Sequence, residues 1–383
     1  MKCQRKKFLL GRKEAYLNGA YMSPILKKVE NAGRNAIAGK RRPHKITGDD
    51  FFHDIEVTKN FYAQLVNCDN PERMVVVSSA SYGIATVANN INIQKGENIV
   101  VTGGQFPSNI YSWMSLCEKN GAELITVHPP NTTEHRGKKW NKDILSAINE
   151  KTKAVSIGHI HWADGTLFDL LAIRAATKKV GAALIIDGTQ SVGALPFDIQ
   201  TIQPDALVCA GYKWLMGPYG IGMAYFGEMF DHGKPIEENW INRKNSDDFA
   251  NLVNYESQYR DGAARYGAGE QSSFILLPML KEAIKQLNKW QPENIQSYCE
   301  TLIKEPLEQI KDLGLFVEDP EFRAAHLFGI QCPTDKLEPI QRAFKKHKVS
   351  VSFRGDFVRV SPHVYNDERD MNRLVRAFQE VFK

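Results

Sequence analysis

No apolar run in this 383-residue sequence approaches the roughly 18 residues needed to cross a bilayer, so no membrane partner is expected. Phe8-Leu9-Leu10, in a basic N-terminal stretch, is too short for a signal-peptide core and is followed at once by Arg12, Lys13 and Glu14. Cysteine is sparse. Cys3, Cys68, Cys117, Cys209, Cys299 and Cys332 are scattered with no CxxC pair, which argues against a disulfide framework and fits reduced thiols in the cytoplasm. Charge of one sign is also scarce: Lys plus Arg is 49 and Asp plus Glu is 44, a net of +5. The basic clusters at 2–7, 40–42 and 345–348 are short and read as solvated surface, so no nucleic-acid partner is expected. There is no Walker loop, internal repeat or low-complexity tract.

What is present is an ordinary globular composition, 43% hydrophobic and 24% charged, over a length that suits two or three domains. Short apolar runs alternate with helical patterns. Strands are expected at 74–77, 98–102, 123–128, 154–157, 182–186, 206–209 and 222–226. Helices are expected at 82–93, 108–120, 141–149 (with Asn141 as N-cap) and 170–180. Strands that are apolar throughout, rather than alternating, imply a sheet buried on both faces. The fold class is therefore α/β, with a doubly wound, mostly parallel sheet from about 50 to 230. Residues 233–262 are polar and read as a surface excursion. Helices at 274–290, 295–313 and 367–382, with strands at 327–331, 349–353 and 357–360, read as a smaller α+β unit.

In an open α/β sheet a ligand sits at the carboxyl ends of the strands. Strand 182–186 runs into Asp187-Gly-Thr-Gln190, and strand 206–209 runs into Gly211-Tyr-Lys213-Trp214. A carboxylate directly after an apolar strand is costly to bury without a cation. Asp187 and Lys213 are thus either an ion pair between neighbouring loops or the two groups of a cofactor site. In the second case Lys213 is a Schiff-base amine and Asp187 the partner of a pyridinium nitrogen. Strand 74–77 runs into Ser78-Ser-Ala-Ser-Tyr-Gly83, which is either a helix cap or an anion cradle. The glycine series 217–222 reads as a tight turn into the next strand. His159, His161 and Asp164 lie close together, but no further spaced Cys or His supports a metal, and none is expected.

These segments together resemble the class V aminotransferase family of pyridoxal-phosphate (PLP) enzymes. The likeness is carried by Asp187-Gly-Thr-Gln190 and Gly211-Tyr-Lys213-Trp-Leu-Met-Gly-Pro-Tyr-Gly-Ile-Gly222. Further pieces agree in order: Tyr16-Leu-Asn-Gly-Ala20, Ser79-Ala-Ser-Tyr-Gly-Ile84, Phe106-Pro-Ser-Asn109 and Arg359-Val-Ser-Pro-His-Val-Tyr-Asn366. The resemblance implies a fold-type-I PLP-dependent transferase. Its large domain would be 21–262, and its small domain would be built from both termini, 1–20 and 263–383. It implies that Lys213 carries the cofactor and moves the Cα proton, Asp187 holds the ring nitrogen, Gln190 meets the phenolic oxygen and Phe106 stacks on the ring. Ala80, Ser81 and Tyr212 would hold the phosphate; Arg359, with Asn18, would bind the substrate.

The resemblance also implies a homodimer with composite sites, since Gly267-Ala-Gly-Glu-Gln-Ser-Ser273 is similar to the stretch that reaches the partner's phosphate. The family's threonine position falls on Glu270, where a carboxylate would repel phosphate, so Ser272 or Ser273 is the expected contact. The expected activity is Cα deprotonation of an amino acid, leading to transamination, β-elimination or epimerisation. The Lys213 context looks closest to the kynureninase and isopenicillin-N-epimerase-like branch, with His161 as a candidate acid/base and Trp162 beside it. A cysteine desulfurase or selenocysteine lyase is the alternative within the family. It is disfavoured because segment 354–356 carries no cysteine, Cys299 falls in a helix and Cys332 ends a strand. Outside the family, the alternative is a non-catalytic α/β binding protein.

Overall fold

The computed structural model describes all 383 residues. Seven strands form the main sheet: β1 (Met74–Val77), β2 (Asn98–Thr102), β3 (Glu123–Val127), β4 (Thr152–Gly158), β5 (Ala183–Asp187), β6 (Ala206–Ala210) and β7 (Gly222–Phe226). Their order is β1-β7-β6-β5-β4-β2-β3, and β7 alone runs antiparallel to its neighbours. Successive side chains explain the continuous apolar runs. Val75, Val77, Ile99, Val101 and Ile185 feed an apolar cluster on one face, while Met74, Val76, Val100, Leu184 and Ile186 feed another on the opposite face. β3 closes one edge, and none of its residues is fully buried.

Before the sheet come two helices that lie outside the expected pattern, α1 (Lys27–Gly39) and α2 (His53–Leu65). Between the strands run α3 (Ala80–Ala88), α4 (Tyr111–Asn120), α5 (Arg136–Ala147) and α6 (Leu170–Val180). α6 follows its sequence signals: Asp169 caps it by accepting from the Ala172 amide, and Gly181 ends it at a φ of +73°. α5 corrects an expectation. It starts at Arg136, not at Asn141, whose amide donates to the Gly137 carbonyl (2.9 Å) and whose oxygen accepts from the Asp169 amide (2.7 Å). Asn141 thus fastens the middle of α5 to the start of α6.

The rest of the chain builds a second layer. α7 (Leu276–Trp290) buries Leu277, Leu280, Ile284 and Leu287 along one stripe and packs on α1 and α2. α8 (Pro292–Lys311) begins with proline in its first turn. A four-stranded antiparallel sheet follows: β8 (Phe316–Val317), β9 (Phe328–Gln331), β10 (Ser352–Arg354) and β11 (Phe357–Val360), in the order β10-β11-β9-β8. α9 (Leu337–His347) and α10 (Glu368–Phe382) pack on each other beside it. The strand expected at 349–353 is split. Val349–Ser350 pairs in parallel with Ala15–Tyr16, whereas β10 turns to pair with β11. The chain ends are joined further by Gln4 N–H to the Val364 carbonyl (2.6 Å) and by a buried Arg5–Asp370 ion pair (2.8 Å). No helix is long and apolar enough to cross a membrane.

Candidate active site

The carboxyl ends of β1, β4, β5 and β6, together with the loop after β2, surround a cavity of about 200 Å³. Its lining includes Ala80, Ser81, Phe106, His161, Asp187, Gln190, Tyr212 and Lys213, so these expected residues are brought together. The register explains the convergence: Asp187 lies opposite Gly158 on one side and Val208 on the other, at the sheet's upper edge. Asn18, Arg359 and Ser272 do not line this cavity.

Lys213 is 6% exposed and has no carboxylate within ion-pair distance. Its ammonium sits 5.3 Å from the Phe106 ring centre and 5.6 Å from that of Tyr212. Burial pulls its pKa down to about 8; Asp187 works against this, and Arg359 and Arg354 add to it. The turn that delivers it needs glycine at 211, where a Cβ would stand 2.4 Å from the Ile221 carbonyl oxygen.

Asp187 Oδ1 accepts from the Thr189 amide (3.0 Å), which fixes the carboxylate while leaving Oδ2 free of protein partners. Thr189 in turn accepts from the Ala210 amide (3.1 Å), tying the two loops together. Gln190 is anchored three ways: its amide donates to the Ala20 carbonyl (3.2 Å), its oxygen accepts from Trp214 Nε1 (3.0 Å), and His326 Nε2 meets its carbonyl (2.9 Å). Ser79 caps α3 by accepting from the Tyr82 amide (3.1 Å), and its hydroxyl lies 2.9 Å from that of Ser81. The amides of Ala80 and Ser81 open the helix and have no intrahelical carbonyl to reach. Phe106 is placed by two buried amides the sequence did not single out for this role. Gln105 donates to the Ser156 carbonyl (3.1 Å) and accepts from the Gly158 amide (2.8 Å), and Asn109 accepts from Ser156 Oγ (3.0 Å).

His161 and His159 face different surroundings, the first against Trp140 and the second against Phe197. His161 Nε2 lies 3.1 Å from the Gly104 carbonyl, and Nδ1 lies 3.0 Å from Asp164 Oδ1. Burial pushes the Asp164 carboxyl up, but His161 and Arg136 (2.7 Å) outweigh it and hold the acid below its usual range. Arg359 stands behind Trp162, 1% exposed, donating to the Trp162 carbonyl (2.7 Å). Burial and then Arg354 pull its pKa down to about 9. Asn18 accepts from Ser352 Oγ (2.8 Å), and that hydroxyl is 3.5 Å from Arg359 Nη2. Ser272 is buried in the 267–273 turn, which passes Glu270 at a φ of +57°.

The family model for Aminotransferase class-V matches residues 22–377. Among curated relatives, the uncharacterized aminotransferase YcbU of Bacillus subtilis is 24% identical over 326 residues, 84% of this chain and 82% of its own length. A cysteine desulfurase of Salmonella newport is 32% identical over 171 residues, but the match spans only 43% of this chain and 40% of that protein. Among solved structures, the cysteine desulfurase of Thermococcus onnurineus NA1 shares the fold with a TM-score of 0.84 at 20% identity, covering 100% of this chain and 98% of that one. The family's cofactor is PLP, and the residues fit it. A buried lysine lacks an anionic partner, a carboxylate oxygen at a strand end has no protein partner, and the first amides of α3 with the Ser81 hydroxyl beside them make an anion site. The chain belongs to the Aminotransferase class-V family and is a PLP-dependent enzyme that acts on an amino acid.

Proposed function

We propose that the chain removes the Cα proton of its amino-acid substrate with Lys213, opening transamination, β-elimination or epimerisation. The observation that carries this is Lys213 itself: a buried amine with its pKa lowered to about 8, in one cavity with the Asp187 carboxylate and the Phe106 ring. Bound PLP supplies the electron sink for charge left at Cα. Lys213 Nζ takes the proton when neutral, which burial favours near pH 8. Asp187, whose Oδ2 has no protein partner, would hold the cofactor's ring nitrogen in its protonated form. Phe106 and Trp162 limit water at the reacting face. By the resemblance Arg359, which stands behind Trp162 outside the cavity lining, would receive the α-carboxylate by charge-assisted hydrogen bonds and so fix which Cα bond is presented. With both ring nitrogens facing Gly104 and Asp164, His161 acts as a positioning residue for the Gly104–Trp162 contact (2.7 Å). Borohydride reduction followed by mass spectrometry tests the reading. The pyridoxyl group should be found on Lys213, and Lys213→Ala should lose both the label and turnover; a label on another lysine, or none, overturns it and favours a binding protein.

The desulfurase relatives favour a second reading, sulfur release from cysteine. Cys299 and Cys332 are buried, burial pushes both thiols up (Cys332 to about 12), and segment 354–356 has no cysteine. Neither thiol is therefore suited to accept sulfur, and sulfur release here would need another acceptor. We further propose a cytoplasmic homodimer in which Ser272 or Ser273 reaches the partner's phosphate. Tyr219 (70% exposed) in the cavity lining, and Tyr21 and Met22 directly after the Tyr16–Ala20 motif, supply exposed apolar surface to cover. Sedimentation of PLP-loaded protein should show a dimer at micromolar concentration; an active, fully loaded monomer excludes the composite site.

A further inference from the structure

Two arginines stand against one indole. The Arg354 guanidinium carbon is 5.1 Å from the Trp162 ring centre and that of Arg359 is 5.9 Å from it. Trp162 lines the cavity, its Nε1 donates to the Gly104 carbonyl, and its ring centre lies 5.4 Å from that of Phe106 with the planes nearly perpendicular. Neither arginine has an anionic partner. Arg359 donates to the Trp162 carbonyl and approaches the Ser352 hydroxyl; Arg354 donates to the Phe353 carbonyl (2.7 Å). The Nε of each is buried and unbonded. Asp356, the acid nearest Arg354 in sequence, instead accepts from Gln331 Nε2 (2.7 Å). Neither arginine lines the cavity; both stand against Trp162, which does, and both lower the Lys213 pKa.

An α-carboxylate on Arg359 would satisfy one guanidinium and leave the other facing nothing of opposite sign. A neutral side chain pressed against Arg354 would strip water from a cation without replacing it, which is costly. A second anion would be held by a planar, multi-donor group suited to carboxylates and oxidised-sulfur acids. We propose that Arg354 is a specificity residue of this site and that the preferred substrate is an amino acid whose side chain carries a second anionic group. This rests on the reading of Arg359 as the α-carboxylate residue.

The test uses the PLP-loaded enzyme and the shift of its visible band. Aspartate, glutamate and cysteine sulfinate are titrated against asparagine, glutamine and alanine. The dianionic set should bind at least about tenfold tighter, the effect of a charge-assisted hydrogen bond. Arg354→Gln should abolish that preference while leaving the neutral set within about twofold, and Arg354→Lys should keep part of it. Equal binding of the two sets by the unmodified enzyme, or equal weakening of both by Arg354→Gln, overturns the proposal but leaves the PLP reading standing. A band that responds to no amino acid overturns both. The unmodified enzyme's preference needs no variant, so poor folding of Arg354→Gln does not remove the test.

Discussion

At Lys213, protonation decides reactivity, because only the neutral amine condenses with an aldehyde. Its pKa is lowered, so the reactive fraction is already about half at pH 8 rather than near the ordinary value of 10.5. Incorporation of PLP into the apo-protein should therefore rise through a midpoint near pH 8 and fall about tenfold per unit below it. Arg359→Gln removes one cation that depresses Lys213, so the midpoint should move upward; stopped-flow absorbance across pH 6 to 10 checks both. Lys213 and Asp187 were legible in the sequence because each follows an apolar strand, and the sheet brings strand ends to one edge. Arg359 was legible only through its motif, since a lone arginine in β11 reads as surface. Arg354 and Gln105 left no local signal. Their roles depend on Trp162 and on β4, which lie far from them in sequence.

The α3 N-terminus shows how a short element makes a site. Ser79 satisfies one of the amides that no helix carbonyl can reach, and its neighbours remain available to an anion. Ser79→Ala should cost the apo-protein about 1 kcal/mol in urea unfolding and also weaken PLP retention. An unchanged unfolding midpoint would deny the cap. Strand positions are legible where both faces are buried, as in Met74–Val77 and Ala206–Ala210. Helix starts are less legible. α5 opens on Arg136-Gly-Lys-Lys, which has no apolar period, so the pattern surfaces only once Trp140 and Ile144 turn inward. α1 buries only Val29 and Gly33, too little to mark a stripe. The split at 349–353 follows from pairing with residues 15–16, a long-range choice that strand composition does not encode.

Across the whole molecule, three buried histidines, His159, His326 and His363, lie near enough for His326 to act on the other two. Burial pulls them down to about 3, about 4 and about 3 respectively, and His326 lowers the other two further. An unfolded histidine titrates near 6.5, so between roughly pH 4 and 6.5 the unfolded chain binds more protons. Stability is full above that window and is lost as pH falls through it, at up to about 4 kcal/mol per pH unit for three such groups. His363 has no hydrogen-bond partner on either ring nitrogen and tilts against Trp214 at 5.5 Å. His363→Phe should therefore flatten the acid limb by about a third without loss at pH 7; urea unfolding at pH 5 and 7 measures it, and an unchanged limb would place the acid sensitivity elsewhere. The joined chain ends carry a consequence for biogenesis. Arg5 and Asp370 are 365 residues apart, so at 5–20 residues per second the first-made half of that pair waits roughly 20–70 s on the ribosome for the second. During translation the main sheet can assemble, but Arg5 lacks its buried acidic partner until α10 emerges, which leaves the amino-terminal arm open to chaperones and proteases for longer than segments that pair within the sheet.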